Sequence, residues 1–322
     1  MDLLNYLADI SESKAFNRLS PETQTIVVAA VEAAAAIEKS PRAGKAKSGE
    51  GPRSIITAAD YRSQKVIFTK LTSRFPEARI LCEEKTSDPA ALSPKHPVGI
   101  LGKGLHFVVD PIDGTTPFSH RQGDWSIGIG AIRDGIFHGG VVLAPMMNSG
   151  LLVFAERGKG AFFKEGLHPV QRISRKANRF DPKESIVKVG VDARLYPNLR
   201  AMETEIAMNV QGLYIAGSGL LALANVALGR VALVFQTPEK SWDWAQALPL
   251  LEEAGRFIWF YRLENGTVVP VAKPDQRAFT LPRNTNGLGF IAGEPALARK
   301  VRQLLPKKGW DMLDPDTVIG AW

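Results

Sequence analysis

The chain lacks the sequence features of a secreted or membrane-embedded protein. Its 322 residues include a single cysteine, Cys82, so no disulfide can form within the chain. No apolar run is long enough to span a bilayer, and the first residues lack the basic region and long apolar core of a signal peptide. We therefore expect a cytoplasmic protein with no membrane partner. A hydrophobic fraction of 45% predicts a globular chain with a sizeable core.

Zinc chemistry and nucleic-acid binding have little support in the sequence. The five histidines lie far apart, and the cysteine has no cysteine partner, so no zinc site is predicted. The net charge of +7 comes from Lys and Arg scattered among acids, not from a basic stripe with interleaved aromatics. We therefore expect no nucleic-acid partner, because a small anionic substrate accounts for the charge equally well. Residues 39–53, rich in Lys, Arg, Pro, Gly and Ser, are predicted to form a basic surface loop.

The most informative segment is Val108 to Thr116, which reads VVDPIDGTT. An apolar strand is expected to end here in a turn that lets the carboxylates of Asp110 and Asp113 converge, since Gly114 can adopt backbone angles closed to other residues. Two nearby carboxylates share a proton or bind a cation, and oxygen ligands suit Mg²⁺, Mn²⁺ or Ca²⁺. The free amides of a helix starting at Thr115 would bind phosphate. The alternative is an ordinary type I turn.

The motif resembles the signature of the inositol monophosphatase family of metal-dependent, lithium-sensitive phosphatases. Three further segments match that family's pattern in the same order. They are Asp60, then Glu83-Glu84, and finally Trp242-Asp243. The resemblance spans about residues 20 to 300. It implies an α+β fold, a layered αβαβα sandwich shared with fructose-1,6-bisphosphatase. An N-terminal domain of residues 1–180 would carry the antiparallel sheet and the metal-binding turn, and a C-terminal domain of residues 181–322 would supply the Trp-Asp ligand and the substrate pocket.

The resemblance also implies the roles of individual residues. One Mg²⁺ would be held by Glu83, Asp110 and the carbonyl of Ile112, and a second by Asp110, Asp113 and Asp243. A third ion beside Glu83, or Mn²⁺ in place of Mg²⁺, is an open alternative. Catalysis would use Glu83 together with Asp60 and Thr115, which orient the attacking water. The residues expected to face the substrate are Gly114, Thr115, Thr116, Gly217, Ser218, Gly219 and Gln236, with Lys45 or Lys47 reaching the phosphate from the basic loop.

Three of these assignments have competing structural explanations. Asp60 lies three residues after Thr57, the spacing of a helix-capping box, although such a box ordinarily uses Glu or Gln. Asp243 lies in the first turn of a predicted helix, where the dipole favours an anion. Residues 217–222 match the G-x-G-x-x-A dinucleotide fingerprint, but Gln236 and its neighbours stand where the ribose-binding acid is expected.

The sequence thus predicts a Mg²⁺-dependent hydrolase of small sugar or polyol monophosphates. Gln236 falls where inositol-specific relatives place an acid, so histidinol phosphate and 3′-phosphoadenosine nucleotides remain alternative substrates. A non-catalytic metal- or ligand-binding relative is the alternative from another class. Dimers are frequent among such proteins, so a homodimer is also an open alternative.

Helices and strands are predicted from periodicity and from capping residues. Helices are expected from Pro21 to Ile37, from Thr57 to before Pro76, near 199–208 and from Ser241 onward with a kink at Pro249. Strands are expected at 79–82, 106–109, 125–132, 136–143, 151–155, 161–163 and 186–191. The four strands from 125 to 163 should form an antiparallel meander.

Overall fold

The structure is a computed structural model, and it describes residues 3–47, 55–92, 99–176, 186–190, 204, 208, 210–214, 217–264, 267–280, 287–295 and 297. Within these residues the helices, numbered in chain order, are α1 (Leu3–Glu12), α2 (Lys14–Asn17), α3 (Pro21–Ile37), α4 (Ala58–Arg74), α5 (Thr115–Ser119), α6 (Gly219–Ala227) and α7 (Leu248–Glu253). None of them combines the length and apolar character that a bilayer crossing requires.

The strands of the same residues are β1 (Gly44–Ala46), β2 (Ile55–Thr57), β3 (Arg79–Cys82), β4 (Ala91–Leu92), β5 (Leu105–Asp113), β6 (Ser126–Arg133), β7 (Ile136–Ala144), β8 (Leu151–Glu156), β9 (Gly160–Glu165), β10 (Gln171–Arg172), β11 (Ile186–Gly190), β12 (Gly212–Tyr214), β13 (Leu233–Glu239), β14 (Phe257–Glu264), β15 (Thr267–Val271) and β16 (Leu288–Gly293).

The two long helices begin and end where the sequence predicts. The Ser20 hydroxyl accepts the Thr23 amide at the start of α3, and Pro21 occupies the first turn, where its missing N–H costs nothing. Thr57 caps α4, which ends at Arg74 because the residue before Pro76 is disfavoured in helical geometry. Both helices pack against the same sheet.

An eight-stranded sheet has the order β10-β9-β8-β7-β6-β5-β3-β4. From β5 to β10 consecutive strands pair antiparallel, which confirms the predicted meander. Strand β3 instead runs parallel to β5. The carboxyl ends of β3 and β5 therefore lie side by side at one edge of the sheet, and the acidic motifs follow these ends.

The second sheet is mixed, with the order β12-β11-β13-β16-β14-β15. Its β11 is parallel to both β12 and β13, whereas β13, β14 and β16 pair antiparallel. Helices α6 and α7 share one apolar core with the inner faces of both sheets, and α1, α3 and α4 share another with the far face of the first sheet. The described residues thus form an α-β-α-β stack, which confirms the predicted α+β layered class.

Some predictions fall outside the described residues. The helix predicted near 199–208 lies there except for positions 204 and 208, and so does the domain boundary at 180. The division into two domains therefore stays a prediction.

Close backbone approach fixes the layer between the sheets. Gly140 on β7 lies directly against the backbone carbonyl of Gln246, and a Cβ at this position would overlap it. The side-chain amide nitrogen of Gln246, a fully buried residue, donates to the backbone carbonyl of Trp242 at 2.8 Å. The segment from Trp242 to Gln246 is thereby pressed onto the first sheet, next to the end of β5.

Candidate metal centre and catalytic site

Three carboxylates from separate parts of the chain converge at the end of β5. Each of Asp110, Asp113 and Asp243 offers an oxygen, and these oxygens all lie within 4.8 Å of one another. Asp110 and Asp113 are buried, and Asp243 is partly buried. We refer to these three residues as the acid cluster, and they are three of the four carboxylates that the sequence predicts as metal ligands.

A β-bulge turns both aspartates of β5 to the same side. Asp110 pairs with Gly128 and Asp113 with Ser126, so two residues of β5 lie opposite one residue of β6. In a regular strand, residues three apart point to opposite faces. Here the extra residue restores the alternation, and Ile112 joins the core on the α3 side. Strand β5 therefore runs through Asp113, beyond the predicted end at Val109, and Gly114 follows with φ of 89°.

The start of α6 holds Asp113 in place. Its Oδ2 accepts a hydrogen bond from the Ser218 hydroxyl at 2.5 Å and another from the Leu220 amide at 2.7 Å. Ser218 also caps the helix by accepting the Leu221 amide at 3.0 Å. The glycine-rich segment that resembles a dinucleotide fingerprint thus presents its helix start to a carboxylate of the same chain, which occupies the donors that a pyrophosphate would need.

The segment carrying Asp243 differs from the predicted helix. Two short 3₁₀ turns, 241–243 and 245–247, precede α7, and Pro249 lies in the first turn of α7. The predicted kink at Pro249 is therefore wrong, because a proline in the first turn replaces no helical hydrogen bond. The Lys240 amide donates to Asp243 Oδ2 at 3.0 Å, which orients the carboxylate.

The electrostatics of the acid cluster favour a cation. Burial raises the pKa of Asp110 well above its ordinary value, and the charges of Glu83, Asp113 and Asp243 raise it further. Burial also raises the pKa of Asp243, and the negative charges of Glu239 and Asp113 raise it further. Carboxylate oxygens at this spacing match the ligand chemistry of Mg²⁺ or Mn²⁺, whose binding would offset the repulsion. The donor set therefore fits the predicted metal.

Beside the acid cluster, Glu83 and Glu84 follow the end of β3, and we refer to them as the glutamate pair. The Glu83 amide donates to the Val109 carbonyl at 3.2 Å, which anchors the pair to β5. Lys47 Nζ lies 2.7 Å from Glu83 Oε1 and 2.5 Å from Glu84 Oε1. Burial and the Glu83 charge raise the pKa of Glu84 to about 7, against the opposing effect of Lys47.

Of the two lysines predicted to reach the site, the structure brings Lys47 to it. Burial alone would lower the pKa of Lys47, but the charges of Glu83 and Glu84 outweigh burial and raise it. The other candidate, Lys45, is exposed on β1. Lys47 therefore lies in the site as a cation, and its partners are the glutamate pair.

Asp60 makes contacts consistent with both of its competing roles, which are helix capping and catalysis. Its Oδ2 accepts the Thr57 amide at 2.7 Å and the Thr57 hydroxyl at 2.6 Å, which completes a capping box with an aspartate where Glu or Gln is usual. Its Oδ1 lies 3.4 Å from the hydroxyl of Thr115, which also lies 3.2 Å from the Ile112 carbonyl oxygen. Burial raises the pKa of Asp60 to about 6, although the Thr57 hydrogen bonds oppose this.

Of the residues predicted to face the substrate, the glycines make close backbone contacts, Thr116 is exposed and Gln236 is buried. Gly114 and Gly217 face each other, since a Cβ on Gly114 would lie 3.3 Å from the Gly217 carbonyl oxygen, and a Cβ on Gly219 would lie 3.5 Å from that of Asp243. Thr116 is exposed on α5. Gln236 is buried in β13 and donates to Glu239 at 2.9 Å.

Two residues of the site were missed by sequence reasoning. The Ser126 hydroxyl lies 3.0 Å from that of Ser218, and Asp124 accepts the Gly217 amide at 2.9 Å. Neither residue belongs to a recognisable motif. The signal that identifies Ser126 is its position opposite Asp113 in the sheet, which requires knowledge of the strand register.

The chain belongs to the inositol monophosphatase family, whose profile matches residues 18–304. This range agrees with the resemblance predicted from the four motif segments. The family match also confirms the prediction that the chain is related to phosphatases.

Individual relatives carry several names. An inositol-1-monophosphatase of Mesorhizobium japonicum is 30% identical over 237 residues, which cover 71% of this chain and 82% of the relative. A fructose-1,6-bisphosphatase/inositol-1-monophosphatase of Thermotoga maritima is 30% identical over 210 residues, or 65% of this chain and 72% of that protein. A putative Nus factor SuhB of Neisseria meningitidis serogroup B is 26% identical over 214 residues, covering 66% and 75%.

Solved structures show the same fold. The inositol monophosphatase structure from Thermotoga maritima superposes with a TM-score of 0.66 at 21% identity and covers 88% of this chain and 96% of its own. The SuhB structure from Bartonella henselae gives a TM-score of 0.67 at 23% identity, with coverages of 89% and 99%.

Proposed function

We propose that this protein is a Mg²⁺-dependent hydrolase of small sugar or polyol monophosphates. The observation that carries the proposal is the acid cluster, in which three carboxylates with oxygens within 4.8 Å meet beside the glutamate pair. Relatives named as inositol and fructose phosphatases support the phosphoester substrate class.

The convergence of the acid cluster supports one of the two predicted ligand sets. Asp110, Asp113 and Asp243 would hold one Mg²⁺, and Glu83, Asp110 and the carbonyl of Ile112 would hold another. When bound, paired ions lower the pKa of water and neutralise charge on the phosphoryl group. Lithium inhibition, by analogy with the family, is part of the same proposal.

The protein's own residues supply positioning and proton transfer. Thr115 lies between Asp60 and the Ile112 carbonyl, so its hydroxyl can orient a water molecule while Asp60 takes up the proton. The oxygen of that water forms a bond to phosphorus as the bond to the ester oxygen breaks, and the leaving alcohol gains a proton. The first amides of α5, at Thr115 and Thr116, are the proposed phosphate contacts, since the first N–H groups of a helix have no intrahelical acceptor.

The choice of substrate depends on the region beyond the phosphate. The amide of Gln236 is neutral where inositol-specific relatives have an acid, so strict selectivity for inositol is not expected. Sugar phosphates are the first candidates, and histidinol phosphate and 3′-phosphoadenosine nucleotides are the alternatives from the same family.

A panel of phosphate esters tests the proposal directly. Phosphate release should require Mg²⁺ or Mn²⁺, should be inhibited by Li⁺, and should nearly vanish in Asp113→Ala. Glu77→Ala, which removes an exposed carboxylate, is the control and should leave turnover unchanged. Unchanged turnover in Asp113→Ala would refute the assignment.

A second candidate function comes from the relatives named as Nus factors. A protein that uses the same fold for binding would hold metal in the acid cluster without turning over any ester of the panel. Calorimetric Mg²⁺ binding combined with no phosphate release across the whole panel would favour this function over hydrolysis.

A further inference from the structure

We propose that a second pocket, separate from the acid cluster, binds a small amphipathic organic anion, a carboxylate attached to an aryl or short alkyl body. The pocket has a volume of about 380 Å³, which falls in the range of small-ligand sites, roughly 300–1,000 Å³. It lies between α1, the end of α3, α5 and the turn after β7. Its lining residues include Leu3, Ile37, Arg42, Phe118, Trp125 and Met146.

Arg42 offers an unpaired cationic donor. Its guanidinium carbon lies 4.8 Å from the centre of the Phe118 ring, and Nη2 lies 3.6 Å from the sulfur of Met146. Its Nη1 is buried and has no hydrogen-bond acceptor among the residues that the structure describes. A guanidinium stacked on an aromatic ring keeps its edge free for a planar carboxylate.

Trp125, which packs against the same Phe118 ring as Arg42, carries a second donor. Its side chain is buried, with 3% of the residue exposed, and its ring packs edge-on against Phe118 with the ring centres 4.9 Å apart. The indole Nε1 is buried and lacks an acceptor within the described part of the chain. Two unpaired N–H donors therefore flank one aromatic ring, and buried donors without partners are rare in native proteins.

The remaining lining selects the rest of the ligand. Leu3, Ile37, Phe118 and Pro145 provide apolar surface, which favours a hydrocarbon body over a free inorganic anion. Glu38 also lines the pocket but is exposed to solvent, unlike the two donors. The combination of buried donors with apolar walls therefore matches an acceptor group at one end of an apolar molecule.

The pocket is independent of the proposed phosphatase chemistry, although both involve α5. Phe118 lies three residues after Thr115, and the pocket includes none of the acid cluster or the glutamate pair. Its occupancy can therefore be measured without any phosphate ester.

The test is calorimetric titration of the whole protein with 3-phenylpropionate, together with tryptophan emission. We expect saturable binding and an emission change that Trp125→Phe abolishes. Arg42→Met, which keeps an unbranched side chain but removes the charge, should weaken binding about tenfold or more through loss of a charge-assisted hydrogen bond. Arg18→Met, at an exposed arginine outside the pocket, is the matched control and should bind as the wild type does.

Two further probes and one variant test whether binding depends on the carboxylate of the ligand and whether it takes place in this pocket. The uncharged 3-phenylpropanol should bind more weakly than the acid, and inorganic phosphate should not compete. Asp243→Asn should leave binding unchanged, because that residue is not in the pocket. Thermal melts check that each variant is folded. Absence of saturable binding to the wild type, or equal affinity in folded Arg42→Met, would overturn the proposal.

Discussion

A substitution at Asp60 can separate the catalytic role of this residue from its role in stabilising helix α4. Its carboxylate both completes the capping box of α4 and faces Thr115. In Asp60→Asn the side-chain carbonyl can still accept from Thr57, and the amide can donate to Thr115. The cap is therefore largely retained, whereas the group that takes up a proton is lost. We expect kcat to fall by about 10²–10⁴, the usual contribution of a general base.

The effect of this change on stability has a definite sign. The pKa of Asp60 is raised from 3.8 to about 6, so the folded state favours the neutral carboxyl. Its contribution is fully present below about pH 4 and is lost as the pH rises through about 6. A shift of about two units corresponds to roughly 3 kcal/mol of unfolding free energy. Asp60→Asn should remove this pH dependence in chemical denaturation measured in EDTA.

Thr57→Ala is the matched control for this experiment. It removes the cap hydroxyl and should lower the unfolding free energy by about 1 kcal/mol, while the Asp60 carboxylate stays in place. Because the lost hydrogen bond stabilises the ionised form, the acid limb of the pH–rate profile should move to higher pH. If Asp60→Asn retains wild-type kcat, or if Thr57→Ala loses as much turnover at its own pH optimum, Asp60 acts only as a cap.

Three further predictions concern metal and packing. Gly140→Ala should lower the unfolding free energy by about 1–3 kcal/mol, since the new methyl group overlaps the Gln246 carbonyl, whereas Gly212→Ala, where a Cβ would meet no atom of the described residues within 4 Å, should change it little. Lys47→Met should lower the melting temperature in EDTA, because the glutamate pair loses its cation. Adding Mg²⁺ should then raise the melting temperature of this variant by more than it raises that of the wild type. An unchanged melting temperature in EDTA would contradict the prediction. The rise in wild-type melting temperature on adding Mg²⁺ should grow with pH, because the raised pKa values of Asp110 and Asp243 make the metal-free fold less stable once these carboxylates ionise.

Local sequence signals were sufficient for the elements whose ends carry strong stereochemical constraints. Pro21 and Thr57 mark the starts of α3 and α4, and Gly135 lies in the turn between β6 and β7. These residues restrict the backbone regardless of what packs around them. The meander was predictable for the same reason, because each of its strands pairs with a neighbour in the sequence.

Features that depend on distant contacts were not predictable. The end of β5 is set by its pairing with β6, which continues to Asp113 although Pro111 suggests an earlier stop. The segment with the 3₁₀ turns before α7 packs through Gln246 against Gly140, and periodicity alone cannot reveal that contact. Likewise, the partners of Ser126 become visible only once Asp113 lies opposite it.

The bulge in β5 also means that the chemistry and the architecture are encoded separately. If β5 paired with β6 in regular register through this stretch, without the bulge, Asp110 and Asp113 would point to opposite faces, and one carboxylate would face the apolar core on the α3 side of the sheet. Such a protein could keep its topology while losing every cation-dependent property.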